Sequence, residues 1–277
     1  MSAGYPSPRA LLARHGLRAK RSWGQNFLGD PEVLDHIARL AAPAPGERVV
    51  ELGAGLGHLT ARLLARGAEV VAVERDRDMA RVLRAELGER IQVLEADAVK
   101  VDYGALASGG RKVAVAGNLP YHLTSPILFS LLDQSAHVSR AVFLLQREVA
   151  QRLAASPGAK EWGLLSVLLQ RLAAVEIARR VPPGAFLPPP RVESAVLVAR
   201  FGAPPAAVLD EARFRKLVKA GFAQRRKTLG NALAAARLAE PGRIAAALAA
   251  AGVDPRRRGE TLSVEEWAAL ERALGRR

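Results

Sequence analysis

The chain has 277 residues, enough for one large domain or one with a small companion and ample to bury a core. It has no cysteine, which excludes disulfides, thiolate metal sites and thiol catalysis, and no uncharged apolar run of about 18 residues that could span a membrane. A formal charge of +14 points to a polyanionic partner, nucleic acid ahead of an anionic membrane.

Residues 1–25 carry Arg9, Arg14, Arg18, Lys20 and Arg21 without the apolar stretch of a signal peptide. They are expected to form a basic, partly helical arm on a cytoplasmic, monomeric protein. Asp30 followed by Pro31 marks a helix start, a capping side chain and then a residue with a preset φ. From Arg48 on, short runs of Val, Leu and Ala alternate with helical patterns. The expected strands are Arg48–Leu52, Glu69–Glu74, Ile91–Glu95, Lys112–Gly117 and Arg140–Leu145. The expected helices are Leu56–Ala65, Arg77–Leu87 and Ser125–Leu132. Such alternation predicts an α/β fold with a parallel sheet covered on both faces. A further helix over Leu164–Ala174 precedes strands Ala174–Ala178 and Ser194–Phe201, which lack an intervening helix and are expected to pair antiparallel. The segment Gly202–Ala207, GAPPAA, reads as a linker. The remainder is helical in pattern, and from Pro205 onward it holds 15 Lys and Arg against 8 Asp and Glu. The expected division is therefore a catalytic domain over residues 1–202 and a small, basic helical domain over 203–277.

The candidate site residues cluster after the strands. ELGAGLGHLT, residues 51–60, places Gly53, Gly55 and Gly57 between a strand and a helix, where backbone N–H groups can approach a ligand. Its G-x-G-x-G spacing departs from the dinucleotide fingerprint. Glu74, about 20 residues further on, suits the two hydroxyls of a ribose. Asp97, just past the third strand, can accept a hydrogen bond from the amino group of a bound adenine. The fourth strand runs into Asn118-Leu119-Pro120-Tyr121, which is the most specific signal. An adenine amino nitrogen is a weak nucleophile because its lone pair is delocalised into the ring. The Asn118 side-chain oxygen and the Leu119 carbonyl can hold its two N–H bonds, favour pyramidal geometry and align it with a methyl sulfonium. Tyr121 offers a stacking face. Phe186, ahead of the rigid Pro188-Pro189-Pro190, is expected to cover the other face of the base, with Arg191 beside it. The five histidines are scattered without metal-ligand spacing, so no metal site is expected.

Together GQNFL, ELGAGLGHLT, NLPY, FLPPPRVESAVL and QRRKTLGNAL resemble the ribosomal RNA adenine dimethyltransferases, over nearly the whole chain and nearest their bacterial small-subunit branch. The resemblance implies a Rossmann-like S-adenosylmethionine-dependent fold, with a seven-stranded sheet that includes one antiparallel strand and a small C-terminal helical domain. It implies a cofactor site at Asn26, Leu28, Gly53, Gly55, Glu74, Asp97 and Asn118. The implied substrate is two adjacent adenines in a hairpin loop near the 3′ end of small-subunit ribosomal RNA, each dimethylated during ribosome assembly. RNA contacts are expected at Arg191, Arg225, Arg226 and Lys227. Departures from the usual pattern are Trp23, Ala54, His122 and Arg191, and none removes a group the chemistry needs. The alternatives are a large-subunit adenine methylase of the macrolide-resistance type, a nicotinamide dehydrogenase, and a non-catalytic RNA-binding assembly factor.

Overall fold

Short apolar runs form the strands of a seven-stranded sheet in the computed structural model, which describes residues 4–20, 23–107, 109–224 and 226–275. Arg21 of the arm, Arg225 and the His122 side chain lie outside the described residues. The strands are β1 (Arg48–Leu52), β2 (Glu69–Val73), β3 (Gln92–Leu94), β4 (Val113–Asn118), β5 (Val138–Gln146), β6 (Ala173–Val181) and β7 (Ser194–Phe201). Their spatial order is β3-β2-β1-β4-β5-β7-β6. Neighbours from β3 through β5 are parallel. β7 runs antiparallel to β5, with Ser194 opposite Gln146 and Arg200 opposite Arg140. The strand order reverses between β1 and β4, and at such a switch point the connections diverge and leave a crevice at the carboxyl edge.

Helices α1 (Pro8–Arg14), α2 (Pro31–Ala41), α3 (His58–Ala65), α4 (Arg77–Leu87) and α5 (Thr124–Asp133) belong to the same unit. In α2 the Asp30 carboxylate accepts the Val33 N–H at 3.1 Å, and Pro31 occupies the first turn. Val33, Leu34, Ile37, Ala38 and Ala41 recur at helical spacing on its buried face, in one cluster with Val49, Ala114, Val142 and Val196 of the sheet. Each large aliphatic side chain so buried contributes roughly 1.5–3 kcal/mol.

The N-terminal segment is a folded strap, where the sequence suggested a basic arm. Leu11 and Leu12 of α1 pack in a cluster with Phe27, Leu56 and Met79. The Tyr5 hydroxyl donates to the Leu56 carbonyl at 2.8 Å, and His58 Nε2 donates to the Pro6 carbonyl at 2.9 Å. Arg14 and His15 both contact Glu86 at 2.8 Å, and Lys20 Nζ lies 2.7 Å from Asp76 and from Asp78. The cationic side chains of Arg14 and Lys20, and the His15 ring, therefore face carboxylates of this unit.

A second compact unit comprises residues 151–175 and 202–277. It contains α6 (Leu164–Gln170), α7 (Glu211–Ala223), α8 (Leu229–Ala235), α9 (Pro241–Ala250) and α10 (Val264–Gly275). Phe214, Leu217, Leu233, Leu248 and Trp267 are buried in it. Residues 151–175, placed by sequence with the first domain, join this unit through specific bonds. Trp162 Nε1 donates to the Leu262 carbonyl at 3.1 Å, and Arg171 pairs with Glu211 at 2.8 Å while lying 5.8 Å from the Phe214 ring centroid. The buried carboxylate of Glu271 accepts the Leu209 and Asp210 N–H groups and the Arg213 guanidinium, tying the start of α7 to α10.

Candidate active site

A cavity of about 400 Å³ opens at the carboxyl ends of β1, β2, β3 and β4. Its floor is the turn after β1, where Gly53 and Gly55 have φ of +68° and +55°, a region that strongly favours glycine. Gly117 has a different constraint: a Cβ there would lie 2.4 Å from the Leu52 carbonyl, so only glycine lets β4 end this close to β1.

Glu74 follows β2 and is locked in place. One carboxylate oxygen accepts the Gly55 N–H and the other accepts the Asp76 N–H, each at 2.8 Å. Burial pushes its carboxyl above the usual range, and the N–H bonds oppose that shift. Each oxygen retains lone-pair capacity toward the cavity. Beneath the glycine turn, Glu51 is 2% exposed and accepts the Thr60 hydroxyl at 2.6 Å, and burial pushes its carboxyl up to about 8. Asp97 accepts the Val99 N–H at 3.0 Å and lies 3.7 Å from the Arg75 guanidinium.

Asn118 closes β4. Its Nδ2 donates one N–H to the Asn26 carbonyl at 2.8 Å, which orients the amide and leaves Oδ1 as an acceptor. Leu119 is pinned by its N–H, which donates to the Leu144 carbonyl at 3.2 Å, and its side chain is buried. The Pro120 carbonyl accepts the Leu123 N–H at 3.0 Å, and the Tyr121 hydroxyl lies 3.2 Å from Ser194 Oγ at the head of β7.

A profile of the ribosomal RNA adenine dimethylases matches residues 16–274. Ribosomal RNA small subunit methyltransferase A of Anaeromyxobacter dehalogenans is 72% identical over 284 residues, covering 99% of this chain and 100% of that protein. The chain belongs to the ribosomal RNA adenine dimethylase family. The protein of the same name from Myxococcus xanthus is 56% identical, covering 97% of this dimethylase and 95% of its own length. Among solved structures, the 23S rRNA methyltransferase ErmE superposes with a TM-score of 0.70 at 28% identity, over 91% of this chain and all of that one.

Around the dimethylase cavity the fold assembles Asn26, Gly53, Gly55, Glu74, Asp97, Asn118, Leu119, Pro120 and Tyr121. The side chains of Leu28 and Phe186 lie elsewhere. Phe27–Leu28 pairs antiparallel with Phe186–Leu187, with Phe27 opposite Leu187 and Leu28 opposite Phe186. Successive residues of a strand face opposite ways. Phe27 therefore lines the cavity, while Leu28 and Phe186 enter the hydrophobic core, Phe186 being only 6% exposed. The Phe186 ring, expected to cover a base, is packed as a core side chain in this structure. Arg191 is exposed and does not line the cavity, and Arg226 and Lys227 are exposed in the helical unit. Sequence reasoning did not single out the positioning role of Gln25, Arg75, Asp76 or Ser194. Gln25 stood within the GQNFL motif, and Arg75 and Asp76 directly follow Glu74. Ser194 is brought in only by the antiparallel strand.

Proposed function

We propose that this dimethylase moves methyl groups from S-adenosylmethionine to the amino nitrogens of two adjacent adenines in the 3′-terminal hairpin loop of small-subunit ribosomal RNA, two to each adenine. The cavity volume falls within the range of about 300–1,000 Å³ usual for small-ligand sites. Its donor set suits that cofactor: glycine backbone at the floor, Glu74 toward a ribose diol and Asp97 toward an adenine amino group. When bound, the cofactor supplies an electrophilic methyl on a positively charged sulfur.

The protein's part is to hold the nucleophile. Asn118 Oδ1 and the Leu119 carbonyl accept the two N–H bonds of the target amino group, draw it toward pyramidal geometry and direct its lone pair. Tyr121 supports the ring of the flipped-out base. No strong base is needed, because the nitrogen becomes acidic once it carries the incoming methyl and releases its proton. The exposed Arg226 and Lys227 grip phosphate, and a substrate of this kind places the work in the cytoplasm. The small-subunit target is favoured over the large by the names of relatives at 72% and 56% identity, against 28% for ErmE.

The observation that carries this reading is the Asn118 amide, oriented by the Asn26 carbonyl at the cavity edge. In Asn118→Ala, transfer of labelled methyl is expected to fall by about 10²–10³-fold, as for loss of one preorganised polar group, while retention of RNA on a filter is unchanged. Wild-type turnover in that variant would remove Asn118 from the mechanism.

A further inference from the structure

Trp23 has no part in the chemistry above, yet it lines the cavity and is 44% exposed. Its surroundings are tightly built. Lys20, bonded to Asp76 and Asp78, places Nζ 5.4 Å from the Trp23 ring centroid. The Arg75 guanidinium lies 6.0 Å from the same centroid and 3.7 Å from Asp97. Gln25 accepts the Lys20 N–H at 2.9 Å and donates to Asp76 at 2.8 Å. Lys20 and Gln25 are thus anchored to Asp76, two residues beyond Glu74, and the indole stays partly exposed where it lines the cavity.

We propose that Trp23 is the outer wall of the cofactor site and stacks on the adenosine half of S-adenosylmethionine, resting on the cofactor reading given above. Two cations already flank the ring, which disfavours a third and assigns the face to the neutral nucleoside, away from the sulfonium. Its neighbours agree, because Arg75 sits between Glu74 and Asp97, the groups suited to ribose and adenine. Trp23 is a cofactor-positioning residue supplied by the strap, so the strap must be in place for the site to be complete.

The test is calorimetric titration of the full chain with S-adenosylmethionine and, separately, with uncharged S-adenosylhomocysteine, alongside tryptophan emission. Trp162 and Trp267, the other two tryptophans, are buried. Trp23→Ala is expected to bind both ligands about tenfold more weakly, as for loss of one stacked ring. Trp23→Phe should stay within about threefold of wild type because it keeps an aromatic face. The change in emission on ligand addition should be present in wild type and lost in Trp23→Phe. The unliganded melting temperature should match wild type in both variants. Unchanged affinities in Trp23→Ala, or weakening confined to S-adenosylmethionine, would overturn the proposal while leaving the cofactor reading intact. Failure of wild type to bind either ligand would overturn both.

Discussion

Asn118 is effective because it is not free to turn: one N–H of its amide is bonded to the Asn26 carbonyl, which fixes the side chain and leaves its oxygen as an acceptor. Tyr121 is held less firmly, by one hydroxyl contact with Ser194. Tyr121→Ala should therefore lower kcat/KM by about tenfold or more through loss of stacking, and Tyr121→Phe, which loses only that contact, by about threefold or less. Equal losses in steady-state assays would make the hydroxyl, not the ring, the functional part. Glu51 makes stability depend on pH. Burial pushes it up to about 8 from 4.5, so between those values the folded chain holds a proton that the unfolded chain has lost, and stability falls as pH rises through the window. His58 acts in the opposite sense: burial lowers it from 6.5 to about 4, so its contribution is lost as pH falls across that range. Denaturant unfolding of Glu51→Gln should show a shallower decline on the alkaline side and an unchanged one on the acid side. An alkaline decline as steep as wild type would contradict the assignment. The glycines, Glu74, Asp97 and Asn118 were legible because each stands at a strand end, where α/β sheets bind ligands. The core placement of the Phe186 ring was not legible, because it follows the alternation of a two-residue strand, too short to show in sequence.

The strap is the element whose nature was least legible. Its basic residues suggested a basic, partly helical arm, and how it is held could not be read, because Glu86, Asp76 and Asp78, their partners, lie 56–72 positions away in sequence. Its apolar residues hold it down as firmly as its charges. Leu11 is fully buried, so Leu11→Ala should lower global stability by about 2–5 kcal/mol. Because its cluster includes Phe27 of the cavity wall, the same variant should weaken cofactor binding. A stability loss below about 0.5 kcal/mol in urea titration would show that the strap is not integral to the fold. β1, β7 and α4 were legible to the residue, since their runs are mostly apolar or regular in period, whereas β6, which carries Arg179 and Arg180, runs three residues past its expected end at Ala178. Helix α6 ends at Gln170, earlier than its pattern suggested, because Ala173 already begins β6.

At the scale of the molecule, family membership, sheet order and the charge of +14 point the same way. The parallel sheet followed from β-α alternation, whereas the strand order, with its reversal between β1 and β4, is set by tertiary packing. The antiparallel entry of β7 beside β5 followed only in part, because pairing partners are set by tertiary packing and not by local pattern. RNA affinity should fall steeply with salt, and replacing both Arg226 and Lys227 by Ala should flatten the log–log slope by roughly 1–2. An unchanged slope would remove them from the RNA contact. The central claim is tested most directly by supplying labelled S-adenosylmethionine with purified small subunits that lack adenine dimethylation, then mapping the modified nucleosides after digestion. The account predicts dimethyladenine at two adjacent positions of the 3′-terminal hairpin loop. Label in large-subunit RNA instead, or no transfer while cofactor and subunit are both bound, would contradict it.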